Sequence, residues 1–292
     1  MPDASERGDT IFARTLSDED ERARRVEGVP EPFLGTRLHF AWAVVWLSLV
    51  TIPFSIVQMV THRFWPTAEN FKRWSSRWAR VILGGMGIGL DVDDRAGLAP
   101  EEACVFVVNH QNLLDIFTTA AAIPYPFAYL AKEELTRVPF LSLALRHSPS
   151  LFIDRSSRRA SVRCLAEAVG RLREGQSVLV FAEGSRSYSP VVYPFKRGAF
   201  RVAVKAGVPV VPVTIRDSYR VMDERRYASR PGTLSLVIGE PISPKEDGDA
   251  PAVMAAAREQ MEGALAAERR RCGVEEAGEE LARRGTGQSD EP

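Results

Sequence analysis

Cysteine is scarce in this chain: Cys104, Cys164 and Cys272 are odd in number, widely spaced, and form no C-x-x-C pair. A disulfide framework and a structural zinc site are therefore not indicated, and no metal is expected. Two of the three lie in apolar or helical surroundings, which suits core residues in a reducing compartment. Net charge is missing as well. The 38 Lys and Arg residues balance 38 Asp and Glu residues, and no zinc finger or aromatic-interleaved basic run occurs, so nothing points to nucleic acid. No G-x-S-x-G pentad is present, which argues against a serine esterase built on a nucleophile elbow, although Ser185 and Ser187 sit in a glycine-containing loop. There is no internal repeat. Residues 1–37 are polar, mixed in charge and without the pattern of a cleavable signal; they read as a poorly ordered arm.

One further absence is local. From Leu38 to Val60 there is no Asp, Glu, Lys or Arg, a length beyond the ~20 residues a helix needs to cross a bilayer core. Pro53 lies inside the stretch, so the readings of a straight, kinked or re-entrant helix stay open. All five tryptophans, Trp42, Trp46, Trp65, Trp74 and Trp78, fall within this stretch or just after it, and indole rings favour the bilayer interface. Beyond it, Phe71, Trp74, Trp78 and Ile82 recur at helical spacing while Lys72, Arg73, Arg77 and Arg80 fill other positions, a pattern suited to an anionic membrane surface. The excess of cations on the C-terminal side predicts that the remaining domain faces the cytoplasm from the inner membrane.

From about residue 81 short apolar runs alternate with helical ones. Strands are predicted at 105–108, 127–131, 177–181, 210–215 and 234–238, and helices at 113–122, 158–174 and 197–206. Such alternation implies an α/β fold with a mixed, mostly parallel sheet flanked by helices, preceded by a membrane-associated helical segment. The expected map is an arm at 1–37, the membrane segment at 38–80, the α/β domain at 81–249, and a C-terminal helix with a charged tail at 250–292.

Two motifs follow apolar runs at expected strand ends, where ligands of such sheets gather. The first is Asn109-His110-Gln111-Asn112-Leu113-Leu114-Asp115. A strand-to-helix turn can return Asp115 to the His110 ring, fixing its tautomer and leaving the other nitrogen to accept a proton. Asp115 also suits the N3 position of a helix capped by Asn112, and both roles can hold together. The second is Phe181-Ala182-Glu183-Gly184-Ser185-Arg186-Ser187. Gly184 allows close approach of backbone N–H groups to a ligand, and Arg186 can grip a phosphate bidentately; an ordinary turn with a solvated Glu-Arg pair is the plainer alternative. Lys196 and Arg197 open a helix, where cations oppose the dipole unless an anion sits there. Phe152-Ile153-Asp154-Arg155 adds a phosphate contact at Arg155 or a strand-end salt bridge.

Together these segments resemble the glycerolipid acyltransferase family, the bacterial 1-acylglycerol-3-phosphate acyltransferases in particular, over residues 81 to 242. NHQNLLD is similar to the family's NHxSxxD block, SLFIDR to GxxFIDR, FAEGSRS to FPEGTRS, and VPVVPVTI (208–215) to its proline-bearing fourth block. The resemblance implies an O-acyltransferase without cofactor or metal. His110 would be the base and Asp115 its orienting partner, and Arg155, Glu183, Gly184 and Arg186, with Ser185 in the same block and Lys196 nearby, would hold the glycerol phosphate. It implies acyl-CoA or acyl carrier protein as donor, lysophosphatidic acid as acceptor, membrane lipid as partner and phosphatidic acid as product. Asn112 replaces the family's Ser, Ala182 its Pro and Pro149 its Gly. Two other readings stand beside this one: a different lysolipid acceptor such as a lyso-ornithine lipid, and a non-catalytic lipid-binding protein.

Overall fold

A computed structural model describes residues 28–99, 102–133, 149–153, 157–244 and 250–272. In chain order the elements are α1 (Leu34–Phe64), α2 (Ala68–Gly85), β1 (Ile88–Asp94), β2 (Val105–Val108), α3 (Leu114–Ala122), β3 (Phe127–Lys132) and β4 (Leu151–Ile153). Then come α4 (Arg158–Arg173), β5 (Ser177–Phe181), α5 (Gly198–Ala206), β6 (Val210–Arg216) and the single turn α6 (Ser218–Val221). A short ribbon of β7 (Met222–Asp223) and β8 (Ala228–Ser229) around a 3-10 turn, β9 (Gly232–Ile238) and α7 (Ala250–Cys272) complete the described chain.

Seven strands form one sheet in the order β1-β9-β6-β2-β5-β3-β4. β6, β2, β5, β3 and β4 run parallel; β9 is antiparallel to β6, and β1 runs parallel to β9. The expected mixed, mostly parallel sheet is therefore present. Its central strands are continuous apolar runs because both faces are covered. Val105, Val107, Val178 and Val180 pack with α4, α5 and α7 on one face, while Phe106, Val108 and Leu179 point to the other. β1 was not predicted: Ile88-Gly89-Leu90-Asp91-Val92-Asp93-Asp94 is largely exposed and acid-rich, as an edge strand should be.

Helix α1 is unbroken through Pro53 and begins at Leu34, inside the stretch read as an arm. Its 31 residues extend about 46 Å at ~1.5 Å per residue, more than a bilayer core. Its polarity is inverted relative to a soluble helix. The buried side carries Thr36, Ala43, Val50, Thr51, Ser55 and Gln58, whereas Leu38, Trp42, Val45, Leu49, Ile52, Ile56 and Val60 are exposed. Water would be a poor solvent for that outer stripe and lipid a good one; small and polar side chains then belong at the helix–helix contact. The chain is membrane-associated through this helix.

Tryptophans and cations of the hairpin do work that sequence alone assigned to lipid. Trp42 donates its indole N–H to the Gly85 carbonyl at 2.8 Å, Trp46 to Val81 at 3.1 Å and Trp78 to the Thr51 hydroxyl at 3.2 Å. Gly85 leaves room for this, since a Cβ there would stand 2.0 Å from the Trp46 Nε1. Lys72 and Arg80, expected at the membrane surface, instead satisfy the end of α3: Lys72 donates to the Ala120 carbonyl at 2.8 Å and Arg80 to Ala121. These are orphan carbonyls of a helix C-terminus, where cations are favoured. Desolvation, then the charge of Arg80, lowers Lys72 to about 7. Arg73 and Arg77 remain exposed. The hairpin thus packs on α3, whose first turn carries Asp115, through Ala79, Ile82, Leu83, Leu114 and Phe117.

Candidate active site

Three adjacent parallel strands set the site. Val108 of β2 is in register with Phe181 of β5 and with Val213 of β6, so the segments leaving these strands emerge side by side. His110 follows β2, Glu183 follows β5, and Ser218 follows β6. No local pattern contains that adjacency, which is a property of strand order.

Asp115 accepts four hydrogen bonds within the first turn of α3 and its surroundings. Its Oδ2 receives His110 Nδ1 at 2.7 Å, Gln111 N–H at 2.5 Å and Asn112 N–H at 2.9 Å. Its Oδ1 receives the Ser218 hydroxyl at 2.6 Å. The carboxylate is 0% exposed, and the imidazole is 13% exposed, stacked on Phe181 at 4.2 Å between ring centres. With Nδ1 held by Asp115, Nε2 is the nitrogen able to take a proton. Asn112 accepts from Leu114 N–H at 2.9 Å, so the capping and orienting roles of this turn coexist. Its amide also donates to the Ser218 and Met222 carbonyls at 2.6 and 2.7 Å. That gives a physical use to the residue that stands in place of serine: a hydroxyl has one donor, and two carbonyls are served.

The second motif is joined to the first through the backbone. Ser187 N–H donates to the His110 carbonyl at 2.8 Å and Tyr188 N–H to the Gln111 carbonyl at 3.0 Å. Arg186 is thus fixed one residue from a direct bond to His110. Gly184 has φ +76°, a conformation that favours glycine. Ser185 and Lys196 are exposed beside this turn, and Lys196 N–H is bonded to the Ala182 carbonyl at 2.9 Å. Arg155 lies outside the described residues.

Glu183 does something other than face solvent. It is buried, and its two oxygens accept from the N–H groups of His110 at 2.7 Å and Tyr193 at 2.8 Å. Desolvation pushes its carboxyl up to about 8, against those two bonds, which pull it down. A carboxyl turned onto the backbone holds His110 in place. In this geometry both oxygens of Glu183 are turned to backbone N–H groups rather than to solvent.

Arg186 is half-buried and pairs through Nη1 with Glu224 at 2.7 Å. The Tyr188 hydroxyl donates to the same oxygen at 2.8 Å, while burial and the Glu224 charge push that phenol up to about 12. The Arg225 guanidinium lies 3.5 Å over the Tyr188 ring and pairs with Asp223 at 3.0 Å. Sequence reading missed Ser218, Tyr188 and Glu224. The strand-end rule would have pointed to Ser218 had it been applied after β6.

Comparison with known proteins accords with this arrangement. A family model described as Acyltransferase matches residues 90–216. The crystal structure of the 1-acyl-sn-glycerophosphate (LPA) acyltransferase PlsC from Thermotoga maritima superposes with TM-score 0.68 at 25% identity, covering 81% of this chain and 95% of that one. The chain belongs to the acyltransferase family. A 1-acyl-sn-glycerol-3-phosphate acyltransferase of Pseudomonas aeruginosa is 29% identical over 72% of this chain and 77% of its own length. The chloroplastic acyltransferase BAT2 of Brassica napus, named for the same substrate, is 35% identical over 73% of this chain and 63% of its own. For several curated relatives of this acyltransferase the chain spans about three fifths of their length, from 55% to 63%.

Proposed function

We propose that this acyltransferase moves a fatty acyl group from a thioester donor, acyl-CoA or acyl carrier protein, to the free hydroxyl of 1-acylglycerol 3-phosphate at the cytoplasmic face of the inner membrane. The observation that carries the reading is the 2.7 Å bond from His110 Nδ1 to a fully buried carboxylate. Nε2 takes the proton of the acceptor hydroxyl as its oxygen bonds to the thioester carbonyl carbon. The C–S bond then breaks, and the departing thiolate recovers the proton from the imidazolium, so the enzyme is regenerated without an acyl-enzyme. No cofactor or metal takes part in these steps. Arg186, with Lys196 at the rim, supplies positive charge for the phosphate, and Glu183 and Gly184 shape the loop that presents it. Helix α1 anchors the domain in the lipid that contains the acceptor.

The experiment is acyl transfer by the purified protein in lipid, with labelled donor and a panel of lysolipids. Phosphatidic acid should be the dominant product. Equal use of 1-acylglycerol, which lacks the phosphate, would contradict the assigned acceptor, and absence of transfer to every lysolipid would leave a lipid-binding role instead.

A further inference from the structure

We propose that the outer face of α4 and α5 is the docking surface for an acidic carrier protein that delivers the acyl thioester; the proposal rests on the acyl-transfer reading above. Charge is balanced over the whole chain but concentrated here. Helix α4 holds five arginines and one glutamate, and α5 holds Arg201 and Lys205 with no acid, directly after Lys196 and Arg197.

The two helices lie side by side and parallel. Leu165 packs where Gly198 begins α5, and Arg173 donates to the Lys205 carbonyl at 2.8 Å. The solvent stripe of α4 runs through Arg159, Val162, Arg163, Ala166, Gly170 and Arg173, all exposed. Glu167 on that stripe is already neutralised by Arg171 at 2.6 Å. Helix dipoles explain cations at the last turn of α4 but not Arg159 and Arg163 in its first two turns, nor Lys196 and Arg197 at the start of α5. Those positions favour an anionic partner.

The partner's size follows from the stripe. From Arg159 to Arg173 it extends about 21 Å along α4 at ~1.5 Å per residue, longer than one nucleotide head group requires. Val162, 61% exposed between Arg159 and Arg163, adds an apolar contact among the cations, as protein interfaces combine the two. The bilayer is the less suitable occupant. α1 and α2 pack with α3 on the opposite face of the sheet, so a membrane holding α1 lies across the sheet from α4 and α5. Both helices start at the site end of the sheet, which places a docked carrier's thioester arm at the rim beside His110.

The test compares kinetics with acyl carrier protein and with acyl-CoA for the wild type, Arg163→Glu/Arg201→Glu and the charge-keeping Arg163→Lys/Arg201→Lys. The reversal variant should raise KM for the carrier-borne donor at least ~10-fold, with a salt-sensitive wild-type value. KM for acyl-CoA should stay within about twofold, Tm should be unchanged, and the lysine variant should behave as wild type. An equal effect on both donors, or wild-type use of acyl-CoA alone, overturns the docking surface. Loss of binding to phosphatidylglycerol vesicles with donor kinetics unchanged assigns the face to membrane and overturns it too. Transfer from neither donor by the wild type rejects the acyl-transfer reading itself.

Discussion

Ser218→Ala removes one hydroxyl from a carboxylate that no water reaches. Oδ1 of Asp115 has Ser218 as its side-chain donor at 2.6 Å, while His110, Gln111 and Asn112 all bond to Oδ2. The three bonds on Oδ2 keep the carboxylate in place, so the fold should survive. Leaving the buried Oδ1 unpaired costs about 1–3 kcal/mol, and a shift of ~1 kcal/mol lowers Tm by roughly 2–4 °C in a domain of this size. Since Asp115 must steady the imidazolium during transfer, a similar loss appears in the barrier, and ~1.4 kcal/mol is tenfold in rate. The expected result is kcat lower by about tenfold with KM for the acceptor within about threefold. Ser218→Thr keeps the donor; it should recover most of kcat even though its extra methyl group lowers Tm in a fully packed site. Steady-state transfer to 1-acylglycerol 3-phosphate, with thermal unfolding run in parallel, measures both. A normal kcat in Ser218→Ala with a lowered Tm would show that the hydroxyl only holds the structure.

Glu183 and Glu268 are raised to about 8, in both cases chiefly by burial, from the ordinary 4.5. The native state therefore retains protons that the unfolded chain has lost, so stability should fall as pH climbs from 4.5 to 8. Glu183→Gln should flatten the Tm-versus-pH curve across that window by up to ~1 proton; an unaltered slope would mean that Glu183 is ionised in the fold. Leu49, 60% exposed on α1, tests the lipid-facing stripe. Leu49→Lys places a charge costing ~2.5–3.5 kcal/mol in a bilayer, so flotation with vesicles should drop while Tm in detergent holds. A fall in Tm would mean that this face packs against protein.

The central sheet was legible because β2, β5 and β6 are short β-branched runs bounded by punctuating residues, and burial on both faces allows nothing else. β1 was hidden by its acids and β4 by its three residues. The His110–Asp115 pair could be read because a turn of five residues closes it locally. The bond from Ser218 to Asp115 could not: the two are 103 residues apart, and only the order of β6, β2 and β5 brings them together. Lys72 and Arg80 show the reverse error, where a plausible surface pattern served the end of a neighbouring helix. Glu183 stood out in its motif, but its burial and its two backbone bonds are not written there.

The most direct measurement is acyl transfer to 1-acylglycerol 3-phosphate by purified His110→Ala reconstituted in lipid. Loss of the base should lower kcat by about 10²- to 10⁴-fold with KM nearly unchanged. Transfer at close to the wild-type rate would contradict the assignment of the imidazole as the group that takes the acceptor's proton.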